Sequence, residues 1–173
     1  MSAPAATGVR IRRATARDAA RIAEIYSAAI AERSATFDTA PVSAEDVRAW
    51  IARDAEPLLV AESDGAVTGW ARVIRSGERC ALSGVGEYTI YLDASARGQG
   101  TGRLLLEALV VAAGQAGYWK VQGRLFTTNA ASIALARRCG FREVGVYERH
   151  GRLDGEWKDL LIVERLLGEA VHG

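Results

Sequence analysis

Apolar and charged residues alternate from Val9 to Arg13, a two-residue period that predicts a short edge strand. The period then lengthens. Thr15-x-x-Asp18 has the form of a capping box, and Ile22, Ile25, Tyr26, Ala29 and Ile30 recur at helical spacing, so a helix with one buried face is expected to about Glu32. Arg33 to Pro41 is mostly polar with one aromatic, Phe37, and ends in proline, which predicts a loop. Ser43-x-x-Asp46 then caps a second helix that turns Val47, Trp50 and Ile51 inward.

Leu58 to Ala61 and Val67 to Ile74 are β-rich and flank Asp64-Gly65, a two-residue hairpin signal. A polar connection, Arg75 to Gly84, leads to a strand that runs from Glu87 to Leu92 and enters a turn at Asp93 to Ala96. From Gly102 to about Ala116 the only charged residues are Arg103 and Glu107, four apart, which predicts a helix buried around most of its circumference. Trp119 to Phe126 reads as a strand, and Asn129 to Arg138 as a short helix stopped by Gly140. Phe141 to Arg149 and Glu156 to Arg165 form a closing hairpin around Leu153-Asp154-Gly155, with loose ends expected at 1–8 and 168–173. The order gives an α/β (α+β) fold, seven strands and four helices, in one domain spanning residues 1–173.

Composition narrows the partners. A chain of 173 residues that is 49% hydrophobic suits one core, and 22 basic against 21 acidic side chains leave a net charge of +1, too little to steer nucleic acid or an anionic membrane. Cys80 and Cys139 are too few for a disulfide framework and form no metal-ligand pattern, so free thiols, a reducing cytoplasm and no metal are expected. No apolar run approaches the roughly 18 residues of a membrane span. Trp50, Trp70, Trp119 and Trp157 are widely spaced and read as core rather than as a base-stacking platform.

One stretch carries chemistry. After the strand at Glu87 to Leu92, Arg97-Gly98-Gln99-Gly100-Thr101-Gly102 opens the long helix. Three alternate glycines let successive amides turn inward where a helix presents unpaired N–H groups and the positive end of its dipole, so an anion, and best a phosphate, belongs there. The spacing is neither G-x-x-x-x-G-K-[ST] nor G-x-G-x-x-G, which disfavours a kinase-like nucleotide site. A tight strand-to-helix connection would use the same glycines.

The pattern R-x-x-G-x-G resembles the pyrophosphate loop of the GNAT acetyltransferases, and the likeness extends from about Val9 to Leu166. Within that family the chain is similar to the phosphinothricin acetyltransferase-like branch of amino-acid N-acetyltransferases. I-R-R-A-T at Ile11, T-F-D-T-A-P at Thr36, E-Y-T-I-Y-L at Glu87, N-A-A-S-I-A-L at Asn129, C-G-F at Cys139 and W-K-D at Trp157 fall in the right order. The resemblance implies a mostly antiparallel mixed sheet of about seven strands, acetyl-CoA as cosubstrate, a small-molecule amine as acceptor and a homodimer. It makes Glu87 the general base and assigns the pantetheine arm to the backbone of Ile90, Tyr91 and Leu92. The pyrophosphate falls to Arg97, Gly98, Gln99, Gly100, Thr101 and Gly102, and Asn129 and Ser132 lie beside the CoA arm. Phe37 and Arg79 match positions that line the acceptor site. Plain structural roles also fit: a solvated Arg97 or Arg79, an Asn129 N-cap, a Phe37 core anchor.

The chain departs from the pattern at one catalytic position. Where many relatives carry a tyrosine or histidine as general acid four residues before the Gly-Phe pair, this chain has Ala136, with Tyr147 and His150 as substitutes to consider. Leu82 and Tyr88 stand where phosphinothricin enzymes have Tyr and Ser, which opens the identity of the amine. A protein or peptide N-acetyltransferase and an acetyl-CoA-binding module without transfer activity are the competing readings.

Overall fold

The computed structural model describes residues 8–77 and 79–172; Met1 to Thr7 and Gly173, parts of the expected loose ends, lie outside them. The elements run β1 (Val9–Arg13), α1 (Ala19–Glu32), α2 (Ala44–Ile51), β2 (Leu58–Ser63), β3 (Ala66–Arg75), β4 (Val85–Leu92), α3 (Thr101–Gln115), β5 (Lys120–Phe126), α4 (Ala130–Arg138), β6 (Arg142–Leu153) and β7 (Glu156–Leu166). They build a seven-stranded sheet in the order β1-β2-β3-β4-β5-β7-β6. Every neighbouring pair is antiparallel except β4 and β5, which the crossover through α3 makes parallel.

Local chemistry explains the boundaries. Asp18 accepts from the Thr15 N–H at 2.7 Å and its hydroxyl at 3.0 Å, and Ser43 and Asp46 exchange side-chain-to-backbone bonds at 3.0 and 3.1 Å, so both boxes start helices. The β2–β3 and β6–β7 hairpins turn through Asp64-Gly65 and Asp154-Gly155, all four at positive φ, the conformation a two-residue turn requires. Two cores sandwich the sheet. Ile22, Ile25, Tyr26 and Ile30 of α1 with Val47 of α2 cover Val60 and Trp70 on one face. Leu105, Leu106, Leu109 and Ala113 of α3 cover Leu59, Ala71, Val73, Tyr88 and Val121 on the other.

Two expectations change. The α3 helix is not buried all round: Leu104 and Val111 are 39% and 59% exposed, because the sheet covers one side only and single apolar residues are tolerated at a surface. Trp70 is core and Trp50 half-buried, whereas Trp119 and Trp157 are largely exposed. Trp119 lays its ring over Gly84, and Trp157 lies beneath the Arg152 guanidinium at 5.0 Å, so each is covered from one side. Beyond β7, Leu167 is buried with its N–H bonded to Trp119 O at 2.8 Å, and Gly168–Val171 forms a 3-10 turn.

Candidate active site

The parallel pair opens into a fork. β4 and β5 are in register only at Val85–Lys120, Gly86–Val121 and Glu87–Gln122. Past that row β4 continues to Leu92 against β3, and β5 to Phe126 against β7. The two inner edges of the fork therefore carry backbone N–H and C=O groups without strand partners, ready to bond an extended ligand laid between them. Tyr88 packs its ring on Gly123, where any side chain would overlap it, and so floors the fork on the α3 face.

A cleft of about 640 Å³ begins at the β4 side of this fork. Ile90, Tyr91 and Leu92 form one wall; Asn129, Ser132 and Leu135 of the α4 region form another; Arg97, Gly98, Gly100 and Gly102 close the end. Gly98 and Gly100 sit at φ 74° and 86°, and a Cβ on either would meet nothing within 4 Å, so both glycines are required by conformation and leave open space above the loop. Gly100 is the N-cap of α3, whose first amides are unpaired within the helix. An anionic group fits that end, with bare backbone and a helix N-terminus, and Arg138, which has no salt-bridge partner among the described residues, also lines the cleft.

The remaining loop residues are placed as follows. Arg97 lines the cleft but pairs with Glu32 at 2.8 Å and donates to Leu92 O. Gln99 turns its side-chain amide to Ser95 O at 2.6 Å, and Thr101 is buried, which leaves their backbones as the groups on the loop. The turn before the loop is held by Asp93, whose carboxylate accepts from Ser95 and Arg21; those bonds hold its pKa down at about 2. Asn129 caps α4, Oδ1 accepting from Ser132 N at 3.1 Å, so its cap role and its place on the cleft wall coexist.

Glu87 stands at the root of the fork, on the face covered by α1 and α2. Strand alternation puts it in a row with Ile74 and Gln122. Its side chain is 21% exposed, and burial pushes its pKa up, opposed by the Arg124 guanidinium at 3.1 Å and by a hydrogen bond from Gln122. A carboxylate so placed can take a proton from an amine that reaches the fork.

Phe37, from the loop between α1 and α2, packs edge-on against Phe126 at 4.9 Å and lies 2.6 Å from where a Cβ on Gly151 would stand. It is thus a core anchor on the same face of the sheet as Glu87. Arg79 is exposed before a 3-10 turn, Cys80–Leu82, and forms no ion pair with Glu87, which pairs with Arg124. Ala136 is fully buried. Tyr147 and His150 stack on each other at 5.0 Å on β6, Tyr147 half exposed, and neither lines the cleft. Arg124, Gln122 and Arg138 escaped the sequence reading. The alternating Lys120, Gln122, Arg124 of β5 was the only signal for two of them, and it does not say which face they take.

Comparison with known proteins identifies this geometry. The L-methionine sulfoximine/L-methionine sulfone acetyltransferase of Pseudomonas paraeruginosa is 33% identical over 158 residues, 89% of this chain and 92% of that one. The crystal structure of a GNAT superfamily phosphinothricin acetyltransferase from Sinorhizobium meliloti, in complex with acetyl-CoA, superposes with a TM-score of 0.90 at 30% identity, covering 96% and 92% of the two chains. A ribosomal-protein-alanine N-acetyltransferase from Brucella melitensis gives 0.87 at 34% identity, covering 91% of this chain and 99% of its own. The sequence model of the acetyltransferase (GNAT) family matches residues 22–141, and the chain belongs to that family.

Proposed function

We propose that this single-domain protein is an acetyl-CoA-dependent N-acetyltransferase acting on the primary amine of a small amino acid or amino-acid analogue. The observation that carries the reading is the fork: a raised-pKa carboxylate at its root, unpaired β4 backbone along its side and a glycine loop on a helix N-terminus at its far end. Relatives named for phosphinothricin and methionine sulfoximine support the acceptor class.

Acetyl-CoA supplies an acetyl group activated as a thioester. Gly98 to Gly102, with Arg97 beside them, hold its pyrophosphate, and Asn129 and Ser132 border the arm. The backbone of Ile90 to Leu92 orients the arm and donates to the thioester carbonyl, where negative charge develops. Glu87 removes the proton from the bound ammonium. With Ala136 in the general-acid position, no side chain protonates the departing sulfur there; a thiolate with a pKa near about 8.5 leaves without that help.

The protein is proposed to work in the cytoplasm as a homodimer. Both cysteines are free, and the terminal strand β6 exposes Val144, Val146 and Tyr147, each about half, on an open sheet edge that a second copy can cover.

Thiol release from acetyl-CoA, followed across phosphinothricin, methionine sulfoximine, methionine sulfone, L-amino acids, polyamines and alanine-initiated peptides, tests the reading. Turnover confined to free amino acids or their analogues supports it. Turnover of peptides alone would move the acceptor to protein N-termini, and acetyl-CoA binding without thiol release to any amine would leave a non-catalytic module.

A further inference from the structure

Glu87 does not face the fork alone. Gln122, Arg124 and Phe126 alternate onto one face of β5, the face that carries Glu87, and Arg124 stands two residues, about 7 Å, beyond the last β4–β5 row. From there it reaches back across the opening to place Nε 3.1 Å from the Glu87 carboxylate. Its two terminal nitrogens have no hydrogen-bond partner among the described residues, and its side chain is 44% exposed. The result is a carboxylate and a half-free guanidinium side by side, one negative and one positive, at the point where the acceptor must bring its amine.

An α-amino acid carries the complementary pair on adjacent groups: ammonium and carboxylate on one carbon. Resting on the amino-acid reading above, we propose that Arg124 is the acceptor's carboxylate site. As the ammonium docks on Glu87, the α-carboxylate takes the terminal nitrogens of Arg124 in the bidentate geometry a guanidinium favours, and the resident ion pair is exchanged for two substrate pairs. Arg72 is the competing cation on this face. Its guanidinium lies over the Trp50 ring at 3.9 Å, and it pairs in register with Thr89, not with Glu87. Arg124, already against the base, stands nearer than Arg72 to a carboxylate one carbon from the amine.

The exchange also sets the state of the base. In the free enzyme Arg124 opposes the upward effect of burial on Glu87. Other charged groups on this face have partners of their own, Glu164 in Lys120 and Arg142, Glu62 in Arg12, Lys158 in Glu156 and Asp38 in Tyr26, while Arg72 lies over Trp50 with its Nε buried and unpartnered among the described residues. Drawing Arg124 onto the substrate therefore leaves Glu87 a stronger proton acceptor, so an acceptor with a carboxylate switches on its own base.

The test uses L-methionine sulfone and its α-carboxamide as paired acceptors for the wild type, Arg124→Gln and Arg124→Lys. Compared at a pH above both acid limbs, Arg124→Gln is expected to lower kcat/KM for the carboxylate at least about 10-fold more than for the carboxamide, the loss of one charged hydrogen-bonded contact. Arg124→Lys should recover part of the difference. With the carboxamide, the acid limb of kcat/KM should move to higher pH in Arg124→Gln, because the cation that lowers Glu87 is gone. Equal losses for both acceptors would make Arg124 a structural residue, and unchanged ratios would overturn the carboxylate site. A collapsed ratio with an unmoved acid limb would keep that site and overturn the exchange. A wild type that acetylates neither these nor any free amino acid would instead overturn the functional reading on which the proposal rests.

Discussion

Replacing Gly100 by alanine separates what the loop does for folding from what it does for a ligand. At φ 86° an L-residue is strained, yet a Cβ there would touch nothing within 4 Å, so the cost to the fold is conformational alone. That cost is about 1–2 kcal/mol, or roughly 2–8 °C in melting temperature for a chain of this size. Gly65, in the β2–β3 hairpin far along the chain from the loop, has φ 77° and equally open surroundings, which makes Gly65→Ala a control with the same strain and no ligand nearby. The strain is present in free and bound protein alike and cancels from affinity. What remains is the methyl group standing where a pyrophosphate would approach the α3 N-terminus. Losing one or two charge-assisted bonds there weakens binding by about 2 kcal/mol, roughly 10- to 100-fold. Calorimetric titration with acetyl-CoA, run on both variants beside their thermal melts, reads the two quantities independently. Similar melting losses with affinity reduced only in Gly100→Ala are expected; acetyl-CoA affinity within twofold of wild type in Gly100→Ala would refute a phosphate site at this loop.

Further outcomes follow from the same geometry. Asp18 is buried and accepts four bonds, two from the Arg12 guanidinium at 2.8 and 2.9 Å, which hold its pKa below the ordinary carboxylate range. Asp18→Asn should therefore destabilise by about 2 kcal/mol at neutral pH. Because the folded-state pKa is lowered, the wild type keeps this contribution above the usual Asp pKa and loses it as pH falls through the lowered value, so denaturation midpoints of the two proteins should converge in acid. Gly123→Ala sets a methyl into the Tyr88 ring beneath the fork and should cost about 1–3 kcal/mol of stability in urea denaturation; an unchanged midpoint would mean that Tyr88 can leave the fork floor.

Element order was legible because the chain punctuates itself chemically. Thr15 with Asp18 and Ser43 with Asp46 mark helix starts, and two Asp-Gly pairs mark hairpins at the residues where φ turns positive. The glycine loop was legible because its conformation needs glycine. The fork was not, since nothing in Glu87 to Leu92 says where pairing with β5 stops; that shows only in the assembled sheet, where the Tyr88 ring meets Gly123, 35 residues away. Arg124 was hidden for the same reason. A polar residue alternating on a strand has two faces open to it, and only the assembled sheet puts this one against Glu87. The one-sided cover of Trp119 and Trp157 likewise depends on neighbours, Gly84 and Arg152, that hydrophobicity alone does not reveal.

The central claim is that Glu87 is the base of an acetyl transfer at the fork. Glu87→Gln keeps the size and much of the hydrogen bonding of the side chain and removes its proton affinity. Turnover with the best amine should fall about 100-fold or more, while the calorimetric affinity for acetyl-CoA stays within about twofold, since the cofactor cleft and the loop are lined by other residues. The wild-type acid limb of kcat/KM should lie above the ordinary glutamate range, in keeping with the upward push of burial, and should vanish in the variant. Glu87→Gln turning over like the wild type, with the same acid limb, would contradict the account.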